Sequence, residues 1–384
     1  MGRHAAGVFG VFLTASLLAA CGGPTREAVR SSTSASSAST TARTATTTTS
    51  ALPVQAAWTL RALPVGVGIL NDVACPSTTR CYAVGGPYGS GPGWIISSSN
   101  GGSSWQPLQT SPQSWFSALS CPATNFCVVV GKSAGLARVE ITTDGGQHWA
   151  EESPPSQFSG LRDVACTSSV TCIAVGDANN AAVQTAVART TDGGTTWELV
   201  SPPAGIERID FVTCQSSSLC LVGGASPGAA CCSSSMVSVS HDAGASWSAG
   251  VVVGGPEGLV DVSCSDAQHC VGLIGRGGTN TAGLGFPIVT SDGGSTWAKG
   301  STTVGSAVSC VTRFCVSVGG MWQSSTNTYP GRAYLSTDGG TDWSPMSVST
   351  SQILNAVMCI SSVECVTIGG TAGGTSGVIF TYRS

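Results

Sequence analysis

Cysteine and aspartate are the reactive side chains that recur at fixed spacing in this chain. Fourteen of the seventeen cysteines fall into seven pairs: Cys75/Cys81, Cys121/Cys127, Cys166/Cys172, Cys214/Cys220, Cys264/Cys270, Cys310/Cys315 and Cys359/Cys365. Six pairs are spaced C-x5-C, and Cys310/Cys315 is C-x4-C. Paired thiols serve either disulfide or metal chemistry. A structural zinc site usually takes two C-x2–4-C pairs that converge, whereas here each pair belongs to a different repeat. Each pair also brackets a turn between two short apolar segments, so facing positions on a hairpin lie close enough to bond. Disulfides are therefore expected, each contributing about 2 kcal/mol for so short a loop. Cys231 and Cys232 are adjacent and break the pattern. They are read as a vicinal disulfide or as free thiols, with a redox or metal role the less favoured alternative.

The aspartates sit in a box that ends in tryptophan: SSNGGSSW (98–105), TTDGGQHW (142–149), TTDGGTTW (190–197), SHDAGASW (240–247), TSDGGSTW (290–297) and STDGGTDW (336–343). A regular array of carboxylates invites a catalytic reading. The surrounding residues favour a structural one. An Asp in a tight turn accepts backbone N–H bonds, Gly supplies positive φ, and Trp packs as a large apolar anchor. Asn100 takes the Asp position in the first box, keeping the acceptor and losing the charge. Asp144, Asp192, Asp242, Asp292 and Asp338 are accordingly read as turn formers.

These signals must sit on repeating elements, because the box tryptophans recur every 44 to 50 residues. In the unit from Leu161 to Leu199, LRDVAC, CIAVG, AVARTT and TWELV read as four short strands, with Gly176 and DGG at breaks. Four antiparallel strands per period of this length make one propeller blade, which can bury its faces only by stacking on neighbours. Seven Cys pairs against six boxes predict seven blades closed across the ends. The terminal VIFTYRS aligns with third strands and stops where a box is due, while AAWTLRAL aligns with a fourth strand, Trp58 standing at the box Trp position. The expected fold is all-β: a seven-bladed propeller whose amino-terminal strand completes the last blade.

The box resembles the Asp-box, or BNR repeat, S-x-D-x-G-x-T-W, of sialidases, sortilin-type receptors, xyloglucan-active hydrolases and photosystem II assembly factors. TTDGGTTW and TSDGGSTW match closely, and the resemblance covers roughly residues 57–384. It implies a propeller. It leaves function open, since the same fold carries hydrolases and binding modules.

Composition narrows the classes. Charged residues make up 9% of the chain, its formal net charge is −4, and Lys132 and Lys299 are its only lysines, which argues against a nucleic-acid partner. At the amino terminus, Arg3 and His4 precede an apolar run from Ala5 to Ala20 and then LAAC, ending at Cys21. That order resembles a bacterial lipobox. It implies a signal peptide over 1–21, lipidation of Cys21 and export to an oxidising compartment, with the protein lipid-anchored at the cell envelope. Residues 22–51 are almost wholly Ser, Thr and Ala, read as a disordered tether with a reach on the order of 30 Å. Residues 52–384 form the propeller.

The Cys turns and boxes should share one face of the disc, leaving the second–third loops and blade connections to form the other. Ligand-contacting residues are expected on that open face: Trp115, Arg138, Asp177, Arg276, Trp322, Tyr329 and Arg332, with Tyr88, Trp94 and Phe286 as weaker candidates. Trp115, which precedes the apolar position Phe116, is expected to be exposed. The loop MWQSSTNTYPGR is the richest, combining Trp, Tyr, Arg and amide groups suited to a sugar or peptide. Sialidase chemistry would need an Arg cluster, a Tyr nucleophile helped by Glu, and an acid/base Asp. The F/Y-R-I-P motif is missing, and FPIV at Phe286 lacks the Arg. The reading is a surface-anchored, non-catalytic, monomeric propeller that binds a protein or glycan, with no cofactor, no metal and no catalytic residue expected. The alternatives are an exo-glycosidase of sialidase type and a structural envelope protein without a specific ligand.

Overall fold

The computed structural model describes residues 57–384, apart from 88–90, 181–182, 228–233, 256–257, 276–284, 301, 321–327, 329 and 372–373. Cys21, the signal segment and the tether lie outside the described residues, as do Tyr88, Cys231, Cys232, Arg276, Trp322 and Tyr329.

Twenty-eight strands form seven four-stranded antiparallel sheets arranged as a ring. Strand β1 (Ala57–Arg61) is followed by blade 1, made of β2 (Leu70–Ala74), β3 (Cys81–Gly85), β4 (Gly93–Ser98) and β5 (Gln106–Ser111). Blade 2 is β6 (Ser114–Ala123), β7 (Phe126–Ser133), β8 (Leu136–Thr142) and β9 (Ala150–Glu152). Blade 3 is β10 (Phe158–Cys166), β11 (Cys172–Asn180), β12 (Val183–Thr190) and β13 (Glu198–Val200). Blade 4 is β14 (Arg208–Ser216), β15 (Leu219–Ala225), β16 (Ser235–Ser240) and β17 (Val251–Gly254). Blade 5 is β18 (Leu259–Cys264), β19 (Cys270–Ile274), β20 (Phe286–Thr290) and β21 (Ala298–Lys299). Blade 6 is β22 (Ala307–Val311), β23 (Phe314–Gly320), β24 (Gly331–Ser336) and β25 (Ser344–Met346). Blade 7 is β26 (Ile353–Ser361), β27 (Glu364–Gly370) and β28 (Gly377–Arg383), completed by β1 pairing antiparallel with β28, Trp58 opposite Tyr382. The predicted closure is thus observed. It leaves blade 7 with the same four strands as the others.

The core is divided among the seams between blades. Seven apolar clusters occur, each shared by two neighbouring blades. In every one a box-position tryptophan leans on the preceding blade. Trp105 joins Val366 and Ile368 of blade 7, Trp197 joins Ile141 of blade 2, and Trp58 joins Phe314 and Leu335 of blade 6. The second box Gly makes that approach possible: a Cβ on Gly194 would overlap the Ile141 Cδ1.

The Cys pairs are disulfides within blades: Cys75–Cys81, Cys121–Cys127, Cys166–Cys172, Cys214–Cys220, Cys264–Cys270, Cys310–Cys315 and Cys359–Cys365, with Cα–Cα separations of 3.9 to 4.2 Å. The two members of a pair differ in burial. Cys81, Cys127, Cys172, Cys220, Cys270, Cys315 and Cys365 lie on second strands and are buried among the apolar side chains of the seams. Cys121, Cys166, Cys214, Cys264 and Cys310 stay partly exposed, while Cys75 and Cys359 are buried too. The second cysteines are thus core residues as well as cross-links, and none of them is a surface site that a ligand could reach.

In the blades that carry a box, the staple turn meets it. The first box Gly donates its N–H to a staple-turn carbonyl, as Gly145 does to Asn125 at 3.0 Å and Gly193 to Val170 at 2.9 Å. Staples and boxes therefore share one face of the disc, as expected. The second–third hairpins open on the opposite face.

Candidate functional site

The box carboxylates are consumed by their own turns. In blade 3, Thr190 donates its hydroxyl to Asp192 Oδ1 (2.8 Å) and accepts the Gly194 N–H (2.9 Å). Thr196 then gives Asp192 both its N–H (2.9 Å) and its hydroxyl (2.6 Å). The same pattern recurs at Asp242 and Asp292. These bonds to the charged form hold Asp192, Asp242 and Asp292 down at about 2. Asn100 reproduces the geometry with its amide oxygen, accepting from Ser98 (3.0 Å) and from the Ser104 N–H (2.9 Å). A carboxylate so satisfied has no capacity left for acid–base work.

The innermost strands of all seven blades enclose an axial cavity of about 370 Å³. Three tiers of side chains stitch neighbouring blades together around it. Four residues before the first Cys, a side chain donates across the seam: Asn71 to the Phe116 carbonyl (2.7 Å), Ser117 to Leu161 (2.9 Å) and Asn355 to Leu70 (2.8 Å). Three residues before it, an Asp accepts a backbone N–H from the following blade: Asp72 from Leu119 (2.9 Å), Asp163 from Val212 (2.8 Å) and Asp261 from Val308 (2.8 Å). One residue before it, Ser accepts the N–H of the next blade's Cys: Ser120 from Cys166 (3.0 Å), Ser263 from Cys310 (2.9 Å) and Ser309 from Cys359 (2.9 Å).

The three aspartates come from blades 1, 3 and 5 and are half-buried against the cavity. Loss of bulk water around them outweighs the N–H bonds they accept. Asp72 is raised to about 7, Asp261 to about 6, and Asp163 well above the usual carboxylate range, with the other two carboxylates adding to the rise at Asp163.

Arg162 stands at the upper tier of the cavity and grips Asp177 through Nε (2.8 Å) and Nη2 (2.7 Å), and Asp210 through Nη1 (3.1 Å). Arg208 holds the other oxygen of Asp210 at 2.8 Å. Beyond Asp177 the strand β11 leads to a second concavity of about 370 Å³ on the open face of blade 3. Ala178, Ala186, Val187, Leu199 and Pro202 give it an apolar lining, with Gln157 and Asn179 at its polar part. Leu199 remains 46% exposed.

The ligand candidates fare unevenly. Trp115 is half-buried on β6 rather than exposed: it stands inside the β6–β7 ladder opposite Lys132, beside the fully buried Phe116. Arg138 is on the open-face end of β8, but its guanidinium is neutralised by Glu140 (2.6 Å) and Glu151 (3.1 Å). Asp177 lies near the open-face end of β11, engaged by Arg162. Arg332 is exposed on β24 of blade 6 while Arg138 belongs to blade 2, so these two arginines do not form one cluster. Sequence reasoning missed Asp72, Asp163, Asp261, Arg162 and Asp210. The available signal was an acid inside an apolar strand at a fixed offset from Cys, in LNDVAC, LRDVAC and LVDVSC. Glu140 was also missed. It is a buried carboxylate that accepts bonds from Gln109 and Ser111 of blade 1.

No known protein-family profile and no curated protein matches the sequence. Likeness appears among solved structures. YCF48 bound to D1 peptide is 16% identical, with a TM-score of 0.57, covering 85% of this chain and 97% of that one. YCF48 from Cyanidioschyzon merolae gives the same score and identity. The GH74 xyloglucanase from Xanthomonas campestris is 17% identical, with a TM-score of 0.55, over 86% of this chain and 54% of the enzyme. At such identities the likeness is one of fold, and the chain is a seven-bladed β-propeller with both YCF48 and GH74 enzymes among its structural neighbours.

Proposed function

We propose that this chain is an envelope-anchored, non-catalytic propeller that binds a protein partner on its open face, held to the membrane by a lipid on Cys21. The observation that carries the reading is the site on blade 3: an apolar groove with Leu199 at its rim, lined in part by Ala178 and Asn179 of β11, the strand that also carries Asp177 of the Arg162–Asp177–Asp210–Arg208 network. An apolar side chain fits the groove, and the ion pairs beside it offer exchangeable partners to an extended peptide backbone or a charged side chain. A protein is favoured over a glycan because no aromatic side chain lines the described groove to stack on a sugar ring. The neighbour solved with a bound D1 peptide supports the same kind of ligand for a ring of this shape. The boxes, read as Asp-boxes, build the ring and take no part in binding.

The test places a photo-crosslinking amino acid at Leu199 and, separately, at Thr195 on the box face, in the anchored protein in its native envelope. Discrete protein adducts are expected from position 199 and not from 195, and Asp177→Ala should diminish them. Adducts equal from both faces, or from neither, would overturn the assignment.

A further inference from the structure

The axial cavity holds more acid than its surroundings neutralise. Among the described residues that line it, β2 contributes Asp72, β10 contributes Arg162 and Asp163, β14 contributes Asp210, and β18 contributes Asp261, while β6, β22 and β26 contribute no charge. The one base, Arg162, is already committed to Asp177 and Asp210, and Arg208 turns to Asp210 as well. Asp72, Asp163 and Asp261 therefore face one another across a confined space with no cation of their own. Each also clamps a seam: blade 1 to 2, blade 3 to 4 and blade 5 to 6. Like charges gathered in such a space resist ionising together.

We propose that these three aspartates form a proton-operated clamp on the ring, protonated and tight in mild acid, ionised and mutually repelling as the medium turns alkaline. Depressed ionisation in the folded state gives the linkage its sign. A carboxyl that titrates near 3.8 when unfolded and well above that when folded adds stability that is complete below 3.8 and is lost as pH rises through its folded value. Asp72 and Asp261, at about 7 and about 6, put the loss between roughly pH 4 and 7. Within that window each retained proton changes the folding equilibrium by up to about tenfold per pH unit. The ring would be firmest in an acidified surrounding and loosen along three of its seven seams near neutrality. That device is independent of what the open face binds.

Thermal unfolding of the full, disulfide-bonded chain between pH 4.5 and 8.5 tests this, alongside Asp72→Asn, Asp163→Asn and Asp261→Asn. The wild-type melting temperature should fall from pH 4.5 to 7. Each variant should show a shallower slope, whatever its absolute stability, because Asn keeps one acceptor and cannot ionise. The Asn variants leave every other side chain, the exposed His148, His241 and His269 among them, in place. A wild-type slope that is flat or rises, or variants that keep the full slope, would overturn the clamp. Should the variants not fold, infrared difference spectra of the wild type at pH 5 and 8 decide. A protonated carboxylic band at pH 5 that disappears by pH 8 supports the proposal, and its absence at pH 5 refutes it.

Discussion

Trp58 lies against Tyr382 with ring centroids 5.4 Å apart, so the first strand of the ring meets the last through an aromatic contact as well as a ladder. The same Tyr382 stacks on Phe314 of blade 6 at 6.3 Å, which ties the closing strand to the neighbouring seam. Nearby, Arg61 donates to Thr381 at 2.7 Å. Closure therefore rests on side chains from two blades and on five register pairs.

Removing residues 52–63 should strip β1 and leave β28 as an unpaired edge, lowering solubility and the melting temperature. Trp58→Ala, a milder change at a half-buried ring, should cost about 2 kcal/mol in denaturant unfolding. A truncated ring that melts like the intact one would contradict closure by this strand.

Ala243 occupies the first Gly position of the fourth box at φ 55°, in the left-handed region. An L-residue there carries about 1–2 kcal/mol of strain, part of which a glycine gives back as entropy of the unfolded chain. Ala243→Gly should raise stability by about 0.5–1 kcal/mol, measured as a shift in the denaturant midpoint at constant slope.

Glu140 is 1% exposed and accepts bonds from Arg138 on its own strand and from Gln109 and Ser111 across the seam between blades 1 and 2. Glu140→Ala removes the acceptor for all three and leaves Arg138 with Glu151 alone, a loss of about 2–3 kcal/mol. Glu140→Gln should recover part of it. Equal melting of both variants and wild type would show that the cluster is energetically idle.

Below pH 4 the box carboxylates govern. Their folded values lie beneath the ordinary 3.8, so their contribution is complete above that value and is lost as pH falls toward about 2. Circular dichroism across this range should show a steep acid transition. Asp192→Asn, which like Asn100 keeps the acceptor oxygen, should lessen its steepness. An unchanged transition in that variant would remove the box from the acid response.

The ring was legible because its signals are local. A Cys pair, a Gly-bearing turn and a Trp each act within a few residues, and their repetition gave blade number, closure at Trp58 and the sharing of one face. The axial aspartates were not legible for a physical reason. In L-R-D-V the strand alternates, so Asp163 reads as an outward polar residue. Only the ring shows that outward from an innermost strand means into a confined axis. Arg138 failed in the opposite way: a charge at a strand start looked available, and Glu140, two residues on and on the same face of the strand, had already claimed it.

The staples have a consequence for how the chain matures. Every disulfide among the described residues joins cysteines five or six positions apart, so each partner leaves the ribosome immediately after the other. Oxidation can keep pace with emergence, closing one hairpin at a time in order along the chain. A thiol that pairs at once with its neighbour is unavailable to the next blade's cysteines, and the most numerous wrong pairings are pre-empted before any blade has packed. Because no disulfide among the described residues spans two blades, reducing one would loosen a hairpin and leave the ring's connectivity unchanged.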